Sequence, residues 1–179
     1  MDPSPFNPQN ILVSIGINDE YYFTNHTERV DEGCYHKIQK ILDETKLLIG
    51  HNLKFDLSWL LESGFKYDGN VYDTMIGEYI LNRGIRKSLT LQMCCQRRKI
   101  GAKDDRIKEW MDRGISFENI PADIVEEYGK IDVAITRKLF DSQMEDLRAD
   151  KNKHLLKTVK MMNEFLIVLT DMERNGINI

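Results

Sequence analysis

Apolar residues fall into two regimes along this chain. Up to about residue 74 they come mainly in short runs, and beyond residue 120 they recur every three or four positions. Ile11-Leu-Val-Ser-Ile-Gly-Ile17 is apolar and β-branched, which predicts a buried strand. Asn18-Asp19 predicts a turn, and Glu20–Thr24 a second strand closing a hairpin. Residues 34–45 place Ile38, Ile41 and Leu42 on one helical face. Lys46-Leu-Leu-Ile-Gly50 fits a buried parallel strand, and a helix over 54–63 stops at Gly64. Val71–Thr74 reads as a short strand running into a helix over 75–82, and residues 88–98 as a helix opened by Ser88. Pro121 suits the first turn of a long helix to Leu147, with Ile124, Val125, Tyr128, Ile131, Ile135 and Leu139 at helical spacing. A last helix spans 152–174. Hairpin, helix, parallel strand and several helices is an α/β order.

A length of 179 residues suits one domain, with 41 % hydrophobic and 30 % charged residues. No run approaches the roughly 18–20 apolar residues of a membrane span. The start, Met1-Asp-Pro-Ser-Pro-Phe-Asn-Pro, has neither basic region nor apolar core and does not read as a signal peptide. Cys34, Cys94 and Cys95 form neither a disulfide framework nor a zinc pattern. These features predict a cytoplasmic protein with reduced thiols and no membrane partner. The net charge is −4, yet nine Lys/Arg between Arg83 and Lys108 face only Asp104 and Asp105. That stretch could steer a polyanion, or simply be a solvated helical face.

Two segments carry the candidate chemistry. Gly50-His-Asn-Leu-Lys-Phe-Asp56 sets Asn52 four residues before Asp56, and Tyr128-Gly-Lys-Ile-Asp132 sets a tyrosine four residues before Asp132. On helices, each pair shares a face. Two carboxylates from separate helices, with a hydroxyl to orient water, suit metal-assisted phosphodiester cleavage. No Ser/His/Asp set is visible. Taken alone, Asp56 could equally decorate the first turn of a helix. Asp132 lies mid-helix between Ile131 and Val133, a poor place for aspartate without an external reason. Asp73 opens a helix and reads as a cap. His51 reads as a structural histidine or a substrate contact. Phe55, Trp59, Phe65 and Tyr67 read mainly as core, with base stacking as the other use.

The run IGHNLKFDLSWLLESG (49–64) resembles the second exonuclease motif of the proofreading domain of family A DNA polymerases, especially phage enzymes of the DNA polymerase I type. YGKIDV (128–133) resembles the third motif in its Tyr-x-x-x-Asp form. YDTMIGEYILN (72–82), KSLTLQ (87–92) and LTDMERNGINI (169–179) resemble intervening and boundary segments. The resemblance implies an RNase H-like exonuclease fold, a mixed sheet flanked by helices. It implies 3′→5′ hydrolysis of DNA by two Mg²⁺ or Mn²⁺ ions. Asp56 and Asp132 would be metal ligands, Tyr128 would hold the attacking water, and Asn52, with His51, would contact the 3′ end of single-stranded DNA. Residues 1–150 would form the exonuclease domain, and 151–179 a helix leading toward a polymerase domain in cis.

The family's first motif, Asp-x-Glu on the first, central strand, has no counterpart here; Asp171-Met-Glu173 is the one literal match and falls in the last helix. The expectation is a fold lacking that strand, with open edges between the strands at 11–17 and 46–50. Such a chain would be weak or inactive alone unless another segment supplied the strand. Two rival readings share the residues: an RNA exonuclease of the ribonuclease D kind, and a non-catalytic nucleic-acid-binding or assembly module.

Overall fold

The computed structural model describes residues 4–101 and 106–176. Strands β1 (Ser14–Ile17) and β2 (Glu20–Phe23) form the expected hairpin, with Gly16 opposite Tyr21. After α1 (Cys34–Glu44), strand β3 (Leu47–Gly50) leads into α2 (Leu53–Glu62). Strand β4 (Asn70–Asp73) pairs parallel with β3, setting Gly50 opposite Asp73, and runs directly into α3 (Thr74–Leu81). Then come α4 (Leu91–Arg98), α5 (Arg106–Asp112), the long α6 (Ala122–Arg148) and α7 (Lys153–Asn175). This is a mixed α/β architecture of small sheets flanked by helices. Among the described residues, β1–β2 and β3–β4 are separate two-stranded sheets with no ladder joining them.

Helix α6 spans that division. It packs against β1, β2 and β3, and also against α3, α4, α5 and α7. Its 3.6-residue periodicity buries Val125, Ile135, Leu139, Gln143 and Leu147, the stripe that a helix needs to sit on a core. A second apolar cluster, around Ile38, Leu42 and Phe65, takes in Ile15 and Ile17 of one sheet and Leu48 of the other.

A buried charge joins the helices on the far side. Glu78 of α3 is 3 % exposed and meets Arg98 at 2.8 Å and Arg97 at 3.3 Å. Gln143 donates to the same carboxylate at 3.1 Å, and Arg98 continues to Asp146 at 2.7 Å. Arg97 and Arg98 of the basic stretch are thereby paired inside the molecule, whereas Arg83, which donates to Asn152, and Arg106, which pairs with Glu127, lie at the surface. Lys103, Asp104 and Asp105 lie outside the described residues.

Three boundaries differ from the sequence pattern. The first strand begins at Ser14 rather than Ile11, because its hairpin partner supplies only four residues of ladder. The helix expected from Ser88 begins at Leu91, since Thr90 is the residue whose hydroxyl accepts from Met93 N–H. Helix α5 was not predicted. Its seven residues bury only Ile107, too little to give a periodic signal.

The ring of Tyr21 is wedged between the hairpin and α6, its hydroxyl 2.7 Å from Ser14 Oγ. Glycines make the room: a methyl at Gly129 would stand 2.1 Å from Tyr21 Cε2, and one at Gly16 3.1 Å from Cδ2. A helical Gly→Ala change ordinarily stabilises by about 1 kcal/mol. Here Gly129→Ala is expected to destabilise by about 1–3 kcal/mol, because the ring must move. Urea unfolding checks the sign, and a Tyr21→Leu background should shrink the loss.

Candidate active site

The candidate acids are carried by two helices, α2 and α6. The loop after β3 turns sharply at Asn52, which adopts a left-handed backbone (φ 60°, ψ 44°), and α2 starts at the next residue. Asp56 therefore falls in the first turn of α2, where a negative charge meets the positive end of the helix dipole. Tyr128 and Asp132 lie one turn apart on α6, both half-buried, with Asp132 Oδ1 withdrawn from solvent.

The carboxylates sense one another. Asp56 is pushed up from an ordinary 3.8 to about 7, first by the protein packed around it, then by the like charges of Asp73 and Asp132. Asp56 is nevertheless exposed at the surface, so water screens much of that cost. Tyr21, which sequence reasoning did not single out, is pushed up to about 12, chiefly by burial; Tyr128, Glu126 and Asp132 add to the rise. Its phenol therefore stays protonated beside the α6 pair.

Asp73, read as a cap, does more than cap α3. It is 3 % exposed and accepts from Met75 N–H at 2.8 Å, and also from Asn52 and Leu53 N–H at 3.0 Å each. Its own N–H donates to Asn163 Oδ1 of α7 at 2.7 Å. His51 is held by both ring nitrogens: Nδ1 lies 2.9 Å from Thr74 Oγ1 and Nε2 2.8 Å from the Leu89 carbonyl. Asn52 is exposed. With Phe6, Lys54 and Phe55 it helps line an open cavity of about 390 Å³. Of the four aromatics weighed for stacking, Phe55 reaches this cavity at 39 % exposure. Phe65 is buried and stacks on Tyr35, and Tyr67 donates to the Asn70 carbonyl. Phe6 was missed, because a lone aromatic in a Pro/Asn-rich loop carries no periodic signal.

Hard oxygen donors such as Asp56 and Asp132 suit Mg²⁺ or Mn²⁺, and the charge repulsion at Asp56 is what a cation would relieve. Among the described residues, no group of three or more His, Cys, Asp or Glu is gathered closely enough to hold a metal ion. The two aspartates thus fit part of a divalent site rather than a whole one.

The 3'-5' exonuclease family model matches residues 1–148. The chain belongs to this family of 3′→5′ exonucleases, hydrolases that act on DNA and generally depend on divalent metal. It is 31 % identical over 150 residues to DNA polymerase I of Aquifex aeolicus, covering 82 % of this chain and 24 % of that protein. It is 28 % identical over 141 residues to DNA polymerase I of Borreliella burgdorferi, covering 79 % of this chain and 15 % of that one. The DNA polymerase I of Chloroflexus aurantiacus is 31 % identical over 132 residues, 72 % of this chain and 14 % of its own. The chain thus spans between a seventh and a quarter of the length of these relatives. No described helix is long and apolar enough to cross a membrane.

The raised Asp56 value has a signed consequence. Unfolded, Asp56 ionises near 3.9; folded, it ionises near 7. The folded state holds the extra proton between these values, so stability falls as pH rises through that window. Asp56→Asn should raise the urea midpoint at pH 8 and leave it nearly unchanged at pH 4. An equal gain at both pH values would refute the assignment.

Proposed function

We propose that this chain forms the proofreading 3′→5′ exonuclease region of a DNA polymerase. What supports the reading is the family match covering most of the chain, together with Asp56 on α2 and Asp132 on α6 lying near enough to feel each other's charge. Asp56 and Asp132 would hold Mg²⁺ or Mn²⁺, which supplies the charge that stabilises the attacking and leaving oxygens. Tyr128 would orient the attacking water through its hydroxyl. Asn52 would contact the terminal nucleotide of a single-stranded 3′ end, with Phe55 offering a face for its base; His51, fixed by Thr74 and Leu89, would hold the loop that presents them. Residues 1–150 would be the exonuclease unit, and α7 the start of the path to a polymerase domain in cis.

Two carboxylates are few for two cations. The free edges of β1 and β3 suggest where further ones could enter, on a strand laid between the two sheets. The relatives' names favour DNA over RNA as the polymer. A second reading, a module that binds strands without cutting them, draws on the absence of a three-acid cluster among the described residues.

The test is Mn²⁺-dependent shortening of 5′-labelled single-stranded DNA by this chain, beside its Asp56→Ala and Asp132→Ala variants and a matched RNA strand. The expected result is a weak ladder shortened from the 3′ end, preferring DNA, and reduced at least about 100-fold in either variant. Cleavage that survives both substitutions would remove the assigned site. Metal-independent binding that falls steeply with salt, with no cleavage by any of the proteins, would establish the binding module instead.

A further inference from the structure

We propose that Asp73 is a positioning residue that works through Asn52: from a neighbouring strand it holds the backbone at the start of α2 in a left-handed turn, so that the cap residue keeps its side chain for the DNA end. This inference rests on the exonuclease reading above.

A helix start leaves several backbone N–H groups without partners. An asparagine in the cap position usually answers them with its own side chain, from an extended backbone. Asn52 holds the cap position of α2 but makes no side-chain cap bond, and its backbone is left-handed rather than extended. Asp73, twenty-one residues further on, grips the cap residue's own backbone: Asn52 N–H reaches Oδ1 and Leu53 N–H reaches Oδ2, each at 3.0 Å, while Phe55 N–H bonds the Asn52 carbonyl. The negative charge lies where the helix dipole favours it.

Asp73 is well placed to hold another element's geometry. It ends strand β4 directly opposite Gly50, the last residue before the turn. Its third acceptor bond, to Met75 N–H, fixes the carboxylate on its own helix, and Asn163 of α7 fixes its backbone. Asn163 is itself held by a 2.8 Å bond to the Val159 carbonyl. The neighbouring Thr74 hydroxyl donates to the Gly50 carbonyl at 2.9 Å, pinning the entry to the same turn. The turn is therefore held on both sides of Asn52, while the Asn52 side chain stands exposed at the cavity that Phe55 also lines. An aspartate that merely capped α3 would need only the Met75 bond.

The test pairs a structural readout with a functional one. In Asp73→Ala, and more mildly in Asp73→Asn, Asn52 should relax to an ordinary extended cap and use its own side chain on the helix. Its Cα and side-chain amide resonances should move together, while the cluster around Ile107 and Ile120 stays unchanged. Affinity for single-stranded DNA with a free 3′ end should fall about tenfold in Asp73→Ala, as in Asn52→Ala, with no further loss in the double variant. Additive losses would overturn the proposal, because they describe a role that does not pass through Asn52. Unmoved Asn52 resonances in a folded Asp73→Asn protein would overturn it too. Should Asp73→Ala fail to fold, Asp73→Asn alone carries the cycle. No strand binding by the unaltered chain would count against the exonuclease reading, whereas the Asn52 resonances would still decide the held turn.

Discussion

Everything in this fold depends on α6 lying across two sheets that, among the described residues, share no hydrogen-bonded ladder. Backbone pairing ordinarily ties strands together and fixes their register; here it acts only within each pair. What joins the pairs is apolar contact, through the α6 stripe and the cluster around Ile38 and Leu42. Burial of this kind is large in sum but not directional. Direction comes from a few specific fits: the Tyr21 ring against Gly129, and the Glu78 carboxylate between Arg98 and Gln143. The first sets the rotation of α6 near Tyr128 and Asp132. The second fixes the same helix some way further along its axis.

The site inherits this arrangement. Asp132 rides on α6, and Asp56 rides on α2, whose start is tied to β4 through Asp73. The two acids are thus carried by different bodies and brought together only by tertiary packing. Asp56 bears a cost there, first from the protein packed around it and only then from the like charges of Asp73 and Asp132. Repulsion held in place by a rigid scaffold is a useful preparation for a cation, since the cost of gathering the acids has already been met in folding.

How much of this is legible in the sequence follows from the range of the interactions involved. Helix α6 was legible because twenty-seven residues repeat one period, and strands β3 and β4 because short apolar runs end at Gly50 and Asp73. Asp132 was legible because it shares a helix face with Tyr128 four residues earlier, and Asp56 because its run of residues resembles a known motif; the expected shared face with Asn52 fails, since Asn52 turns left-handed just before α2. The reach of Asp73 to Asn52 and Leu53 was not, since its partners lie about twenty residues away and only the parallel register of β3 with β4 brings them together. The wedge of Tyr21 was hidden for the same reason, its only trace being glycines at Gly16 and Gly129. The spent charge of Arg97 and Arg98 was hidden as well: a basic run looks free until its acids, Glu78 and Asp146, fold against it.

Helix α7 meets α2 in two different ways. Toward its middle it offers the buried Leu166, which packs with Leu53 and Leu57. Toward its end the contact is ionic: Lys54 to Glu173, and Arg174 to Glu62 at 2.7 Å, all partly open to water. Pairs of this sort contribute at most about 1 kcal/mol each and weaken as salt rises. The joint is therefore a clasp with one permanent and one releasable half. Any pull along α7 from its Asn175 end would load the ionic half first. It would tug Lys54, the residue between Leu53 and Phe55, before disturbing the core. Salt would loosen that half and leave the buried half in place.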